Sequence, residues 1–189
     1  MKEKPAVADK YRYLNPEVLY SRAAITTADR ADIESFKLTA GKNERKRIRL
    51  CTHSDAKDPL HEMLIVHERE AYVRPHRHPG KTESMHVIDG LVDVIVFDEA
   101  GQVQRIISMG GFSSGRTFYY RMAAPVFHTL MIRSDVLVFH ETTNGPFDRK
   151  DTVFAPWSPE DGDPQGIDAF MTALEEKIRV IKHDSQEKN

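Results

Sequence analysis

The spacing of apolar positions changes partway along the chain. Between Thr27 or Asp29 and about Ala40, the residues Ile33, Phe36 and Ala40 recur at helical spacing, with Gly41 as a stop, and predict a helix. Beyond it the period shortens to two. RIRLCTH, HEMLIVHE, AYVRPH, ESMHVID, LVDVIVFD, QVQRIISM, TFYYRM, VFHTLMI and VLVFHET each read as a strand. Turn signals divide them: DAKDP before Leu60, HPGK at 78–81, Asp89-Gly90, DEAG at 98–101 and GGFSSG at 110–115. Many short strands about ten residues apart predict an antiparallel sandwich or barrel. TTNGPFDRKDTVFAPWSPEDGDP then reads as a long wrapping loop whose Phe147, Phe154 and Trp157 pack back onto the strands. The chain closes on an amphipathic helix, with Ile167, Phe170, Met171, Leu174, Ile178 and Ile181 on one face and Glu175, Glu176, Lys177 and Arg179 facing out.

This divides the chain into an N-terminal arm and helix (1–45), a β domain (46–157) and a C-terminal helix (158–189) that packs on that domain or on a partner subunit. A length of 189 residues suits one domain with its own core, and 40% apolar with 30% charged residues is a globular composition. The 27 basic and 29 acidic residues nearly cancel to a net charge of -2, which argues against a protein that coats nucleic acid or an anionic membrane. A single cysteine, Cys51, rules out an internal disulfide framework and fits a reducing compartment. The first twenty residues hold no apolar stretch of signal-peptide length, and nothing approaches the ~18 consecutive apolar residues of a membrane span. The expectation is a cytoplasmic protein with no membrane and no nucleic-acid partner.

Nine histidines are the unusual count. His76 and His78 are two apart in a strand, so their rings leave the same face. Glu83 follows across a turn at Pro79-Gly80, and a tight hairpin returns it to the same cavity. His128, on a later strand, offers a third imidazole. Three imidazoles and a carboxylate suit Fe(II), Mn, Ni, Zn or Cu and leave coordination positions open. A bare H-x-H arises easily by chance; the spacing H-x-H-x4-E-x6-G, ending at Gly90, is far rarer.

The segment HRHPGKTESMHVIDG resembles the first cupin motif in its histidines, Glu83 and Gly90, with Glu70 where that motif usually opens on glycine. APVFHTLMI resembles the second motif at His128, with Pro125 and Ile132 in place of the usual glycine and asparagine. Between Arg47 and Trp157 the chain resembles the WbuC-type cupin-fold metalloproteins, on RIRLCTHSDAKDPLHEMLI, PHRHPGKTES, FHETTNGPF and FAPW. The resemblance implies an all-β fold, a cupin (RmlC-like) jelly-roll β-barrel with flanking N- and C-terminal α-helices. It implies one divalent transition-metal ion per chain (Fe, Mn, Zn or Ni) on His76, His78, Glu83 and His128. It also implies a link to bacterial O-antigen-type surface-polysaccharide gene clusters, and the barrel edge and the apolar stripe of the last helix predict a homodimer, as is common for cupins.

In RIRLCTH, alternation places Arg47, Arg49, Cys51 and His53 on one face and Ile48 and Leu50 on the other. Facing a cavity, the arginines would bind phosphate or carboxylate; otherwise they are solvated while Ile48 and Leu50 enter the core. Arg49 and Lys81 are the candidate substrate contacts. His53, His61, His140 and Tyr120 are the candidate acid/base groups. His61 is not part of an HExxH zinc-protease motif, since residue 65 is Ile. His140 alternates with Val136 and Val138 and equally suits the core, while His67, His86 and His183 read as structural or exposed. Cys51 reads as a small buried thiol. GFSSG around Ser113 matches G-x-S-x-G, but a strand follows it where a nucleophile elbow needs a helix. Three function classes stay open: a metal-dependent isomerase- or epimerase-like enzyme acting on a small anionic sugar or nucleotide sugar, an Fe(II)-dependent dioxygenase, and a non-catalytic metal-dependent ligand-binding module.

Overall fold

In a computed structural model, which describes residues 10–186, the strands divide between two sheets. The elements are β1 Tyr11–Asn15, β2 Val18–Ser21, α1 Arg30–Lys42, β3 Arg47–Cys51, β4 Leu60–Glu68, β5 His76–Arg77, β6 Glu83–Asp89, β7 Leu91–Phe97, β8 Val103–Gly110, β9 Tyr119–Met122, β10 Phe127–Ile132, β11 Val136–Asn144, β12 Val153–Phe154 and α2 Pro164–Gln186. One sheet has the order β1-β2-β3-β4-β11-β6-β9 and the other β12-β5-β10-β7-β8. The predicted all-β architecture with two flanking helices is present. The ladders do not run on into one closed barrel: among the described residues, an isolated bridge from Met109 to Thr117 links the edge of one sheet to the segment entering β9 of the other.

Alternation sends each strand's side chains into different layers. On β10 all six residues are buried. Leu130 and Ile132 join a core between the sheets with Met85, Val87, Val94 and Phe139. Phe127 and Met131 face outward, into a cluster with Ile95, Phe97, Leu174 and Ile178. A one-residue slip would exchange the two sets. The opposite outer face, formed by Leu19, Ile48, Leu50, Val66 and Val138, is covered by Phe36 and Ala40 of α1.

Helix α1 begins at Asp29, whose side chain accepts from the backbone of Ala31 and Asp32, while Asp32 accepts from the Asp29 N–H, a reciprocal cap. It ends at Asn43 and not at Gly41: the Asn43 N–H bonds the carbonyls of Thr39 and Ala40, and its side-chain amide bonds Pro16 and Arg47. Within the expected arm, residues 1–9 lie outside the described residues, and the rest holds a hairpin, β1–β2, that the sequence did not announce. AYVRPH contributes only its last residue, His76, to a sheet, in the two-residue strand β5. Gly90, with φ 91°, makes the tight β6–β7 turn, where a Cβ would clash with the Val136 carbonyl oxygen.

Helix α2 packs on its own domain, with Leu174 and Ile178 buried and Trp157 stacked on Phe170. Asp93, fully buried on β7, ties the helix down: it accepts from Lys182 of α2 at 2.8 Å, Arg133 at 2.7 Å and Ser108 at 2.6 Å. Burial alone would raise the Asp93 carboxyl, but the Lys182, Ser108 and Arg133 contacts hold it below its ordinary value. No helix among the described residues is long and apolar enough to cross a membrane.

Leu174→Ala is expected to cost about 2–5 kcal/mol in urea unfolding, as a buried leucine truncation does, independently of protein concentration. Asp93→Ala strips two cations of their acceptor and is expected to cost about 2–4 kcal/mol near neutral pH. Because the Asp93 pKa is depressed on folding, its contribution is present above ~3.9, the unfolded value, and fades as pH falls through the folded one, so the gap between variant and wild type closes in acid.

Candidate metal and ligand site

Antiparallel pairing of β5 with β10 sets His76 directly opposite His128. Their ring centroids are 4.6 Å apart; His78 lies 4.8 Å from His76 and 6.2 Å from His128. Glu83, the first residue of β6, returns across the turn as expected. Its carboxylate lies 3.2 Å from His128 Nε2 and 3.7 Å from His78 Nε2, and accepts from the Tyr120 hydroxyl at 2.8 Å.

Each imidazole is held from behind. Nδ1 of His76 is 2.8 Å from the Arg74 carbonyl, Nδ1 of His78 is 3.1 Å from that of Asp151, and Nδ1 of His128 is 3.1 Å from that of Val126. A carbonyl can only accept, so Nδ1 carries the proton and Nε2 is the atom turned toward the carboxylate or cavity. This second contact is the usual partner of a metal-ligating histidine. The chemistry of the donor set, three imidazole nitrogens and one carboxylate with their outer atoms anchored, therefore fits a divalent ion. Among the described residues, no group of three or more His, Cys, Asp or Glu side chains is arranged to hold a metal ion as it stands.

The electrostatics follow from burial and crowding. Burial, with His128 and His78 close by, pushes His76 down to about 3, and burial also lowers His78. Burial opposes charge on Glu83 and His128 too, but their mutual contact wins, lowering Glu83 to about 2 and raising His128. The two form a charged pair. Tyr120 is raised well above 10 by burial and by Glu83 and Glu141, so it is a proton donor and not a base.

These groups line a cavity of about 450 Å³ between the sheets. His53 and His61 line it as well, stacked with centroids 4.0 Å apart and planes 7° apart. Arg49, Lys81 and Tyr120 also face it. Lys81 is already engaged, donating to the Pro146 carbonyl at 2.7 Å and pairing with Asp151 at 3.1 Å. His140 is not brought to the cavity. It shares the outer face of β11 with Val138, pairs across strands with Leu64 and His86, and lies 3.8 Å from Glu62. Its grouping with the β11 valines holds, but that group faces outward.

Glu141, one residue on, takes the inward position between Met63 and Met85, a cavity residue that the sequence reading did not single out. Burial and Glu83 hold its carboxyl up to about 7, against the pull of Arg49 and His128. The signal was the VFHET alternation, with the opposite face turned in. His67, expected to be structural or exposed, lines the cavity in register with Arg47, and burial with Arg47 and Arg49 lowers it to about 3. Cys51 is buried and its thiol pKa raised by that burial.

A family model described as a domain of unknown function (DUF6016) matches residues 28–109, less than half of the chain. No curated protein matches. Among solved structures, the chain is similar to oxalate decarboxylase of Bacillus subtilis, a protein with Mn(II) centres, at 20% identity and a TM-score of 0.41, over 51% of this chain and 24% of that one. It is similar to oxalate oxidase in complex with glycolate at 14% identity and 0.43, over 56% and 51%. It is also similar to CapF with a tropolone inhibitor at 18% identity and 0.46, over 59% and 32%. The chain thus spans about half of the oxalate oxidase chain and less than a third of the other two.

For Glu141 the folded pKa lies above the unfolded one, so its contribution to stability is complete below ~4.3 and is lost as pH rises through about 7. Metal-free wild type is expected to lose more stability than Glu141→Gln between those limits, measured by urea unfolding across pH; parallel curves would refute the burial of this carboxyl.

Proposed function

We propose that this protein is a metal-binding cupin whose cavity takes a small anionic ligand, a sugar or nucleotide-sugar derivative of the kind used in bacterial surface-polysaccharide metabolism. The observation that carries the proposal is the convergence of His76, His78 and His128 on Glu83, with every Nδ1 anchored to a backbone carbonyl. These four residues would hold one divalent transition-metal ion. When bound, that ion supplies Lewis acidity to a carbonyl or hydroxyl oxygen of the ligand.

The chain's own groups divide the remaining work by their charge states. Tyr120 keeps its proton and orients the Glu83 carboxylate through its hydroxyl. The His53–His61 pair lines the cavity; burial and His53 lower the pKa of His61, which favours a neutral ring. The Glu141 carboxyl makes no hydrogen bond or ion pair with any described residue and faces the cavity, so its Oε atoms are placed to take or return a ligand proton. The apolar parts of the wall, Met63, Met85, Leu130 and Phe139, limit water there.

The homodimer belongs to the same proposal. Edge strand β9 carries exposed Tyr119, beside exposed Phe118 and Phe112, on a sheet edge with no further strand among the described residues.

Protein purified without added metal is expected to contain close to one divalent transition-metal ion per chain by elemental analysis, and His76→Ala or Glu83→Gln to lose it. A variant that keeps full metal content sinks the ligand assignment. Oxygen uptake by anaerobically prepared Fe(II) protein with candidate substrates would favour the dioxygenase alternative, whereas zinc as the native metal would exclude it, since Zn²⁺ has no redox chemistry.

A further inference from the structure

Four guanidinium groups line the cavity: Arg45, Arg47, Arg49 and Arg74. Three of them are engaged. Glu17 pairs with Arg45 at 2.5 Å and with Arg47 at 3.3 Å. Asp161 pairs with Arg45 at 3.2 Å and lies 3.9 Å from Arg47. Arg74 donates to Ser158 Oγ at 3.3 Å and lies 3.9 Å from Glu160. The Arg49 side chain makes no hydrogen bond and no ion pair with any described residue; its charge opposes the burial that raises Glu141 and Cys51 and adds to the burial that lowers His67.

Its position has a structural cause. Ile48 and Leu50 are claimed by the cluster under α1, so strand alternation forces Arg49 to the inner face, where it stays exposed within the cavity. A free guanidinium with its planar fork available is suited to a bidentate oxyanion. Lys81 is no substitute, because its ammonium is already tied to Pro146 and Asp151.

We propose that Arg49 is an oxyanion-binding subsite for the phosphate or carboxylate group of a ligand whose other end reaches the three-histidine cluster. The two-ended part rests on the metal-site proposal above; the subsite alone does not. The register sets the ligand's size. Arg49 pairs with Ile65 on β4, Ile65 with Phe139 on β11, and Phe139 with Val87 on β6, the strand that carries Glu83. Three strand spacings are roughly 14 Å across the sheet from Arg49 to Val87, and Glu83 stands four residues from Val87 along β6, so the two ends are far apart before side chains lean inward. A two-carbon acid is too short to touch both ends. Glu141, the acidic group between the two ends, is available to accept from a ligand hydroxyl.

The test is calorimetric titration with inorganic phosphate, acetate and glucose 1-phosphate, using wild type, Arg49→Gln and Arg49→Lys, each with and without metal. Phosphate or acetate is expected to bind metal-free wild type saturably, and whichever binds more tightly identifies the oxyanion. Arg49→Gln should weaken it roughly tenfold or more, the scale of one charge-assisted contact, with Arg49→Lys in between and metal content unchanged in both. Glucose 1-phosphate should bind the metal-loaded protein more tightly than phosphate does. Equal affinity in wild type and Arg49→Gln, or no oxyanion binding without metal, would overturn the subsite. If no variant holds metal but Arg49-dependent binding persists, the metal-site proposal falls and the subsite stands.

Discussion

The two helices seal the outer faces of the two sheets, and the polar cavity that shares the space between the sheets with an apolar core depends on that seal. A sandwich ordinarily places its apolar residues between its sheets. Here much of the apolar burden lies outside: Phe36 and Ala40 cover Ile48, Leu50, Val66 and Val138 on one face, and Leu174 and Ile178 cover Ile95, Phe97 and Phe127 on the other. Each fully buried Leu, Ile or Phe contributes roughly 1.5–3 kcal/mol. With those clusters closed, part of the inner space can hold histidines, carboxylates and arginines, groups that stabilise a core poorly.

Asp93 shows how firmly one seal is made. A carboxylate with no exposure is costly unless every acceptor position is used, and Lys182, Arg133 and Ser108 use them. Lys182 sits on α2, so the ion pair joins the helix to the middle of the sheet that carries His128. The inner groups are treated differently. His76, His78 and His128 are oriented by single carbonyl contacts on Nδ1, while the Glu83–His128 charge pair supplies the positive charge that the carboxylate requires. That arrangement orients the donors without filling the cavity.

Local pattern made much of this legible. Period-two alternation located most strands, because side chains on a strand have only two directions. The H-x-H-x4-E spacing brought His76, His78 and Glu83 together, since a strand, a short turn and a second strand leave little choice of geometry. The β1–β2 hairpin was not legible: YRYLN and VLYS are short and mixed in polarity, and β2 finds its place through parallel pairing with β3, a long-range contact. The stop of α1 was misplaced by two residues for a similar reason, because Asn43 is held by the distant Pro16 carbonyl as well as by its own helix.

Alternation sorts residues into two groups but carries no label for which group faces inward. On β3 it grouped Arg47, Arg49 and Cys51 apart from Ile48 and Leu50; on β11 it grouped His140 with Val136 and Val138. In both strands the valine or isoleucine face turned out to lie under α1, placing Arg49 and Glu141 in the cavity and His140 outside it. The residue pattern therefore established the strands, the pairing of histidines with Glu83 and the existence of two faces. Which face encloses the cavity followed from helix packing, because burying apolar surface under α1 and α2 is favourable enough to turn the charged faces inward.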